Sequence, residues 1–176
     1  KLITMKTIFL DRDGVINKET GYLHEIEDFK FINGVFEACK HYKQLGYKII
    51  IVTNQSGISR GHYSEDDFRN ITDWMITQFN KNNIQILDTF HCPHLPDSGC
   101  NCRKPKPGML LEAKKKYNIN MLESWMIGDK ETDITAAISS GINNTILVKS
   151  GHKINEADSR AKFIIDSINQ SRQLIH

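Results

Sequence analysis

Short apolar runs recur along the chain and alternate with longer stretches in which apolar residues return every three or four positions. Continuous apolar runs of a few residues are typical of strands that are buried on both faces of a parallel sheet. The four clearest predicted strands cover residues 8–10, 49–52, 125–127 and 146–148. Weaker apolar signals at Phe90 and at residues 163–165 predict two further strands.

Four stretches between these runs have helical periodicity, and they cover residues 34–45, 64–80, 109–117 and 132–140. Gly46 and Gly141 follow two of them, where glycine commonly ends a helix. Ser64 with Asp67 resembles a capping box at the start of the second. The alternation of strands and helices predicts one domain over residues 1–176, an α/β fold with a three-layer α/β/α sandwich and a central parallel sheet.

Composition and charge exclude several classes of protein. The chain has 176 residues, of which 39% are hydrophobic and 25% charged, an ordinary globular mixture. Its net charge of +2 argues against a protein that wraps nucleic acid. The longest aliphatic run, residues 49–52, is far shorter than the roughly 20 residues of a transmembrane helix, and the N-terminal segment lacks the apolar core of a signal peptide. We therefore expect a cytoplasmic monomer that binds a small molecule, with no membrane or nucleic-acid partner.

Polar side chains follow three of the predicted strands, where ligands bind to parallel sheets. The residues are Asp11 and Asp13 after the first strand, Thr53, Asn54, Gln55 and Ser56 after the second, and Asp129 and Asp133 after the third clear one. Carboxylates suit a hard cation such as Mg²⁺, and Thr53 with the cations Arg103 and Lys104 suits a phosphate. Each feature alone also fits a polar turn or a solvated charged segment. Together they predict a site for phosphoryl chemistry.

Three cysteines and a histidine form a second cluster along the chain, at Cys92, His94, Cys100 and Cys102. Thiolates and imidazole at this density are typical of a tetrahedral Zn²⁺ site. Because four protein ligands leave no open coordination position, this zinc is predicted to be structural, in a loop over residues 92–102. Cys39 is interpreted as a buried helix residue, and His41, His62 and His152 as surface residues.

The order Asp-x-Asp, Thr, Lys and Gly-Asp resembles the haloacid dehalogenase (HAD) superfamily of phosphatases. The resemblance implies that Asp11 is the nucleophile and Asp13 the general acid and base. It also implies that Thr53 and Lys104 hold the phosphoryl group, and that Mg²⁺ is bound by Asp11, the backbone carbonyl of Asp13 and Asp129. Asp133 is expected to orient the metal's waters rather than to bind the ion directly.

Within that superfamily, residues 7–150 are similar to the heptose bisphosphatases, in segments such as DRDGVIN, VTNQSGISRG, CNCRKPKPGM and GDKETD. This resemblance implies removal of the C7 phosphate from D-glycero-D-manno-heptose 1,7-bisphosphate, for nucleotide-activated heptose in surface polysaccharide such as lipopolysaccharide. It implies that Arg103 holds the phosphate that does not react. The further residues expected to bind substrate are Asn54, Gln55, Ser56, Glu19, Gly21 and Tyr22.

Two alternatives stay open at this point. The histidinol phosphatases share the Cys/His loop and the Thr-Asn-Gln segment. A phospho-receiver or binding module has the same kind of sheet and an acceptor aspartate, but it has no use for a second acid such as Asp13. Two short connections replace the large cap domain of many superfamily members, so loops at residues 21–24, 56–61 and 92–102 are expected to close the site.

Overall fold

The computed structural model describes residues 3–176 and contains one six-stranded sheet in which every pairing is parallel. The strands are β1 (Thr7–Leu10), β2 (Lys48–Asn54), β3 (Asp88–Cys92), β4 (Trp125–Gly128), β5 (Asn144–Val148) and β6 (Phe163–Ile165). Their order across the sheet is β3-β2-β1-β4-β5-β6. The predicted fold class is confirmed, including the two strands with weak apolar signals.

Four α-helices cover the two faces of this sheet: α1 (Val35–Gln44), α2 (Glu65–Lys81), α3 (Gly108–Tyr117) and α4 (Glu131–Ser140). Alternate strand residues form two apolar cores, because successive side chains point to opposite faces. Ile8 and Ile49 join a core with α1 and α2, whereas Phe9 and Ile50 join a core with α3 and α4. The Ser64 capping box of α2 is present as predicted.

The longest helix, α2, has charged residues in its first turn, at Arg69 and Asp73, and at its last residue. Within residues 3–176, no helix is both long enough and apolar enough to pass through a bilayer.

The strand order decides where the functional side chains meet. β1 lies at the centre of the sheet, between β2 and β4, and Leu10 is in register with Ile51 and with Ile127. The residues that follow these three strands therefore emerge side by side at one edge. Between β1 and α1 the chain folds back in short bridges, in which Asn17 pairs with Asp13 and with Phe31. This connection forms a flap beside the strand ends.

Candidate active site

Three carboxylates converge at the carboxyl ends of the central strands. Asp11 follows β1, Asp129 follows β4, and Asp133 lies in the first turn of α4. One carboxylate oxygen from each lies within 4.8 Å of the others, and all three residues are buried. Gly14 and Gly151 enclose Asp129 closely, since a Cβ at either position would meet its Oδ2 at 2.3 and 2.2 Å. The sheet topology thus builds a compact acidic site from residues far apart in sequence.

One oxygen of this site is left for a ligand. Asp129 Oδ1 is buried and has no hydrogen-bond partner among residues 3–176. A buried carboxylate oxygen without a partner is costly, so an ion or water is expected to complete it. Both oxygens of Asp133 already have partners. Oδ2 accepts hydrogen bonds from the backbone N–H groups of Asp129 and Lys130 at 3.1 Å each, and Oδ1 lies 2.6 Å from Lys104 Nζ. The set of oxygens fits a hard divalent cation, with Asp133 shaping the loop around it.

Lys104 places a buried ammonium against this cluster. Its Nζ lies 3.1 Å from Asp11 Oδ1 and 2.6 Å from Asp133 Oδ1, and it donates to the carbonyl of Val52 at 2.7 Å. Burial alone lowers the pKa of Lys104, but the charges of Asp11 and Asp133 outweigh it and raise the pKa above the ordinary value. Lys104 is therefore a permanent positive charge beside Asp11.

Asp11 is the carboxylate most affected by this environment. Burial and the neighbouring Asp133 raise the pKa of Asp11 well above its usual range, and Lys104 offsets only part of the effect. Asp129 adds to the rise. A divalent cation would oppose these effects and favour the ionised form, which is the form able to act as a nucleophile.

The surroundings of Asp13 differ from those of Asp11, because hydrogen-bond donors rather than other carboxylates surround it. Arg12 Nη2 lies 2.9 Å from its Oδ1, Asn17 Nδ2 donates to the same oxygen at 2.9 Å, and Gln55 Nε2 donates to Oδ2 at 3.0 Å. Burial acts to raise the pKa of Asp13, but Arg12 and these hydrogen bonds prevail and lower it. The carboxylate is consequently fixed in one orientation at the wall of the site.

Arg12 is a residue of this site that the sequence analysis missed. Only 1% of its surface is exposed, which is rare for a charged side chain. Its guanidinium pairs with Asp13 and donates to the carbonyl of Leu23 at 3.3 Å, while its backbone N–H donates to Asp11 Oδ1 at 2.8 Å. Arg12 thus links both aspartates to the flap, and its position between them in the Asp-Arg-Asp segment was the available signal.

The last residues of β2, with Gln55 beyond them, support the site by contacts with one another and with the Lys104 segment. Thr53 is buried, and its Oγ1 accepts a hydrogen bond from Gln55 Nε2 at 2.8 Å. The Asn54 side chain is paired with the backbone of Lys104, accepting from its N–H at 3.0 Å and donating to its carbonyl at 3.1 Å. Asn54 therefore attaches the Lys104 segment to β2, and its side chain is not free to hold a ligand.

A cavity of about 410 Å³ opens in front of these groups. Its wall contains the aspartates and Lys104 together with residues of the flap and the β2–α2 connection. The sequence-predicted residues in that wall are Asp11, Asp13, Glu19, Gly21, Tyr22, Asn54, Gln55, Ser56, Arg103, Lys104, Asp129 and Asp133. Glu19 Oε1 accepts a hydrogen bond from the backbone N–H of Gly21 at 2.5 Å, and this contact shapes the flap. Tyr22, with φ of 49°, stacks on His62 at the rim.

His152 was expected at the surface, and about 40% of its side chain is exposed, but the residue also contacts the site, which was not expected. Its backbone N–H and its Nδ1 both reach Asp129 Oδ2, at 2.9 and 2.6 Å, and it lines the cavity. The loop after β5 carries it there, because Gly151 has no side chain to prevent close approach to Asp129. His152 follows β5 by four residues, and the sequence did not show that this loop folds back onto Asp129.

Arg103 lies between the main cavity and a second one of about 560 Å³ on the side of the Cys/His loop. Its Nη1 is buried and has no hydrogen-bond partner in the part of the chain that the structure describes. A guanidinium donor left free beside a cavity suits an anionic group of a ligand.

The four predicted zinc ligands come together beyond Arg103. The Sγ atoms of Cys92 and Cys100 are 3.6 Å apart, and His94 Nδ1 lies 3.3 Å from Cys92 Sγ and 3.2 Å from Cys102 Sγ. One ligand atom from each of the four residues falls within 4.8 Å of the others. This arrangement is compatible with a metal site that closes the loop between β3 and Arg103.

Comparison with known proteins first identifies the general class. A family model described as HAD-hydrolase-like matches residues 101–171. The heptose bisphosphate phosphatase of B. bronchiseptica, whose structure contains magnesium and phosphate, is similar over 97% of both chains, with a TM-score of 0.84 and 27% identity. The fold and its strand-end aspartates are therefore those of a HAD-like hydrolase.

Relatives found by sequence identify the family within the HAD-like hydrolases. A Photorhabdus laumondii protein named D-glycero-alpha-D-manno-heptose-1,7-bisphosphate 7-phosphatase is 48% identical, covering 89% of this chain and 90% of the relative. A second protein from the same organism, named for the beta anomer, is 45% identical and covers 92% and 90%. The chain belongs to the heptose-1,7-bisphosphate 7-phosphatase family.

Proposed function

We propose that this chain is a Mg²⁺-dependent phosphatase that removes the C7 phosphate of D-glycero-D-manno-heptose 1,7-bisphosphate through an aspartyl-phosphate intermediate. The observation that carries the proposal is the pairing of two differently held aspartates in one cavity. Asp11 is buried against Lys104, and Asp13 is oriented by Arg12, Asn17 and Gln55. Relatives that are 45–48% identical supply the substrate class.

Each aspartate has one part in the chemistry. An Asp11 carboxylate oxygen attacks phosphorus, and the bond from phosphorus to the sugar oxygen breaks as the new bond forms. Asp13 gives its proton to the departing sugar oxygen, and it then takes a proton from the water that hydrolyses the intermediate. The products are inorganic phosphate, heptose 1-phosphate and the original Asp11 carboxylate.

The remaining groups balance charge on the phosphoryl group. Lys104 and Thr53, with the N–H groups that follow Thr53, hold its oxygens. Asp11, the Asp13 carbonyl and Asp129 would hold Mg²⁺, and the bound ion would offset the negative charge of the transferring group. The free Asp129 Oδ1 supports this assignment. Arg103 would bind the C1 phosphate, and Zn²⁺ on Cys92, His94, Cys100 and Cys102 would hold the adjoining loop.

Phosphate release from a panel of esters tests the function. Both anomers of heptose 1,7-bisphosphate and histidinol phosphate should be compared with ³¹P NMR, which also identifies the phosphate that leaves. We expect loss of the C7 phosphate only, with a kcat/KM at least about 100-fold above that for histidinol phosphate. Preference for histidinol phosphate, or release from C1, would overturn the proposal.

Two variants make that assay specific to the site. Asp11→Asn replaces the nucleophile with a group of nearly the same size, so activity should vanish while the fold is kept. Asp73→Asn removes an exposed carboxylate on α2, far from the cavity, and should behave as wild type. A background phosphatase in the preparation would be unaffected by Asp11→Asn, and the panel would then be repeated with fresh protein.

A further inference from the structure

The Asp13 carboxylate is the end of a hydrogen-bonded chain that begins at a tyrosine outside the recognised motifs. Gln55 Nε2 lies 3.0 Å from Asp13 Oδ2 and 2.8 Å from Thr53 Oγ1, and the Tyr63 hydroxyl donates to Gln55 Oε1. Gln55 and Tyr63 are both buried, with 3% and 6% of their surfaces exposed. A buried network of this kind holds its members in one arrangement when every group is satisfied.

The direction of each hydrogen bond follows from chemistry. The Thr53 hydroxyl donates to the carbonyl of Asn54 and accepts from Gln55, so the Gln55 atom that faces Thr53 and Asp13 is the amide nitrogen. The amide oxygen then points the other way and needs a donor, which the Tyr63 hydroxyl supplies. Burial raises the pKa of Tyr63 to about 12, so the hydroxyl keeps its proton at neutral pH. Tyr63 therefore determines which end of the Gln55 amide faces Asp13.

The surroundings hold the Tyr63 ring itself in place. Gly57 lies directly beneath it, since a Cβ at Gly57 would stand 2.2 Å from a ring carbon of Tyr63. On the flap side, the His24 ring stacks on the Tyr63 ring with 5.4 Å between centroids. Tyr63 thus connects the flap to the connection between β2 and α2.

We propose that Tyr63 is a positioning residue, which fixes the Gln55 amide so that Asp13 is aimed at the leaving-group oxygen. The inference rests on the proposed role of Asp13 as general acid. It assigns to the Gln55 side chain a task inside the protein in place of direct substrate binding. The proton still passes from Asp13 to the sugar oxygen as the phosphorus–oxygen bond breaks, and Tyr63 exchanges no proton in this step.

The test compares two phosphate esters that differ in their need for a general acid. The sugar oxygen of heptose 1,7-bisphosphate must be protonated as it leaves, whereas the nitrophenolate of p-nitrophenyl phosphate leaves without a proton. Tyr63→Phe keeps the ring and removes the hydroxyl. We expect kcat/KM for the heptose ester to fall about tenfold, and that for the nitrophenyl ester by less than about twofold. Equal changes with the two esters would overturn the inference.

Two further variants exclude a merely structural effect. Tyr42→Phe also removes a buried hydroxyl, one that is bonded to Ser171 in the core beneath α1, and it should leave both values unchanged. In Gln55→Met, which has no amide to orient, adding Tyr63→Phe should cost less than about twofold with the heptose ester. A further tenfold loss in that background would mean that Tyr63 acts by another route, contrary to the inference.

Asp13→Asn separates this inference from the proposed function. As general acid, Asp13 should show the same dependence on leaving group in kcat/KM, which covers the steps up to phosphorylation of Asp11, and that value should fall about 10²–10⁴-fold for the heptose ester. If Asp13→Asn shows the dependence and Tyr63→Phe does not, the positioning role is wrong and the function stands. If Asp13→Asn affects both esters equally, the general-acid assignment itself is wrong.

Discussion

The acidic site and the Cys/His loop are neighbours that are built in opposite ways. Asp11, Asp129 and Lys104 are buried and come from separate elements, so the sheet assembles them. The loop from Cys92 to Cys102 is one short piece of chain, and its residues 96–99 are all exposed. The folded sheet is therefore enough to bring the residues of the acidic site together. The loop has little apolar packing of its own, so its conformation depends on its four ligand residues.

The two regions also differ in the metal that each is proposed to hold. Carboxylate oxygens select hard cations such as Mg²⁺, and thiolates with imidazole select Zn²⁺. The two sites are joined through Arg103 and Lys104, which directly follow Cys102 in the chain. Damage to the loop should thus reach catalysis through these two cations, while damage to the acidic site should leave the loop intact.

Among the changes that compare the two regions, the largest effect is expected when the buried ammonium of the acidic site is removed. Lys104→Met leaves Asp11 and Asp133 without their partner, so activity should fall about 10²–10³-fold. Stability should fall by about 3–5 kcal/mol in urea titrations without Mg²⁺, because uncompensated charges stay buried. Lys115→Met changes an exposed lysine on α3 and is the control. Losses no larger than those of the control would show that the sheet does not depend on this charge.

Loss of the proposed zinc should have the next largest effect, and it should lower activity without unfolding the sheet. Removing the metal, or the Cys100→Ser change, should lower activity about 10–100-fold by loosening the segment that carries Arg103 and Lys104. The circular dichroism of the sheet should persist, the loop should lose amide-exchange protection, and added Mg²⁺ should not restore activity. Cys39→Ala, in the core away from the loop, should keep its zinc. Full turnover by zinc-free protein would contradict the role given to the loop.

Arg103 lies where the two regions meet, so replacing it tests which of the two substrate phosphates it binds. Arg103→Ala should raise KM for heptose 1,7-bisphosphate about tenfold or more, since a charged hydrogen bond to phosphate is lost. For heptose 7-phosphate, which has no C1 phosphate, KM should change little. Equal effects on the two substrates would instead place Arg103 on the transferring phosphoryl group.

The smallest effect concerns the anchor of β3, the strand that leads into the Cys/His loop. Asp88 Oδ2 accepts hydrogen bonds from Lys116 at 2.7 Å and from Tyr117 at 2.6 Å. Burial acts to raise the pKa of Asp88, but these partners outweigh it and lower the pKa. Asp88→Asn should cost about 0.5–1 kcal/mol at neutral pH, a value reduced by solvent screening because Lys116 is exposed.

The sign of the pH dependence follows from the direction of that shift. A carboxyl whose pKa is lower in the folded state stabilises the fold above its unfolded-state pKa. This contribution is lost as the pH falls through the folded-state pKa. Urea titrations at several pH values should show the difference between wild type and Asp88→Asn shrinking towards acid pH. Asp66→Asn, at an exposed ion pair on α2, is the control.

The sequence predicted the sheet well because buried parallel strands are short apolar runs with clear ends. The strand-end residues Asp11, Thr53 and Asp129 could be found for the same reason, since a strand end is a position that sequence can locate. The contacts of Arg12, Tyr63 and His152 could not, because they depend on how loops distant in sequence fold over the site. Nor could the sequence show that the Asn54 side chain is used to hold the Lys104 backbone.

The most direct test of the account is to trap the covalent intermediate. Asp13→Asn lacks the base that activates water, and p-nitrophenyl phosphate needs no acid to react, so the aspartyl-phosphate should accumulate with Mg²⁺ present. Acid quenching followed by peptide mass mapping would locate the phosphoryl group. The account predicts close to one phosphoryl group per chain, on Asp11. A phosphoryl group on Asp129 or His152, or continued turnover with no covalent adduct, would contradict it.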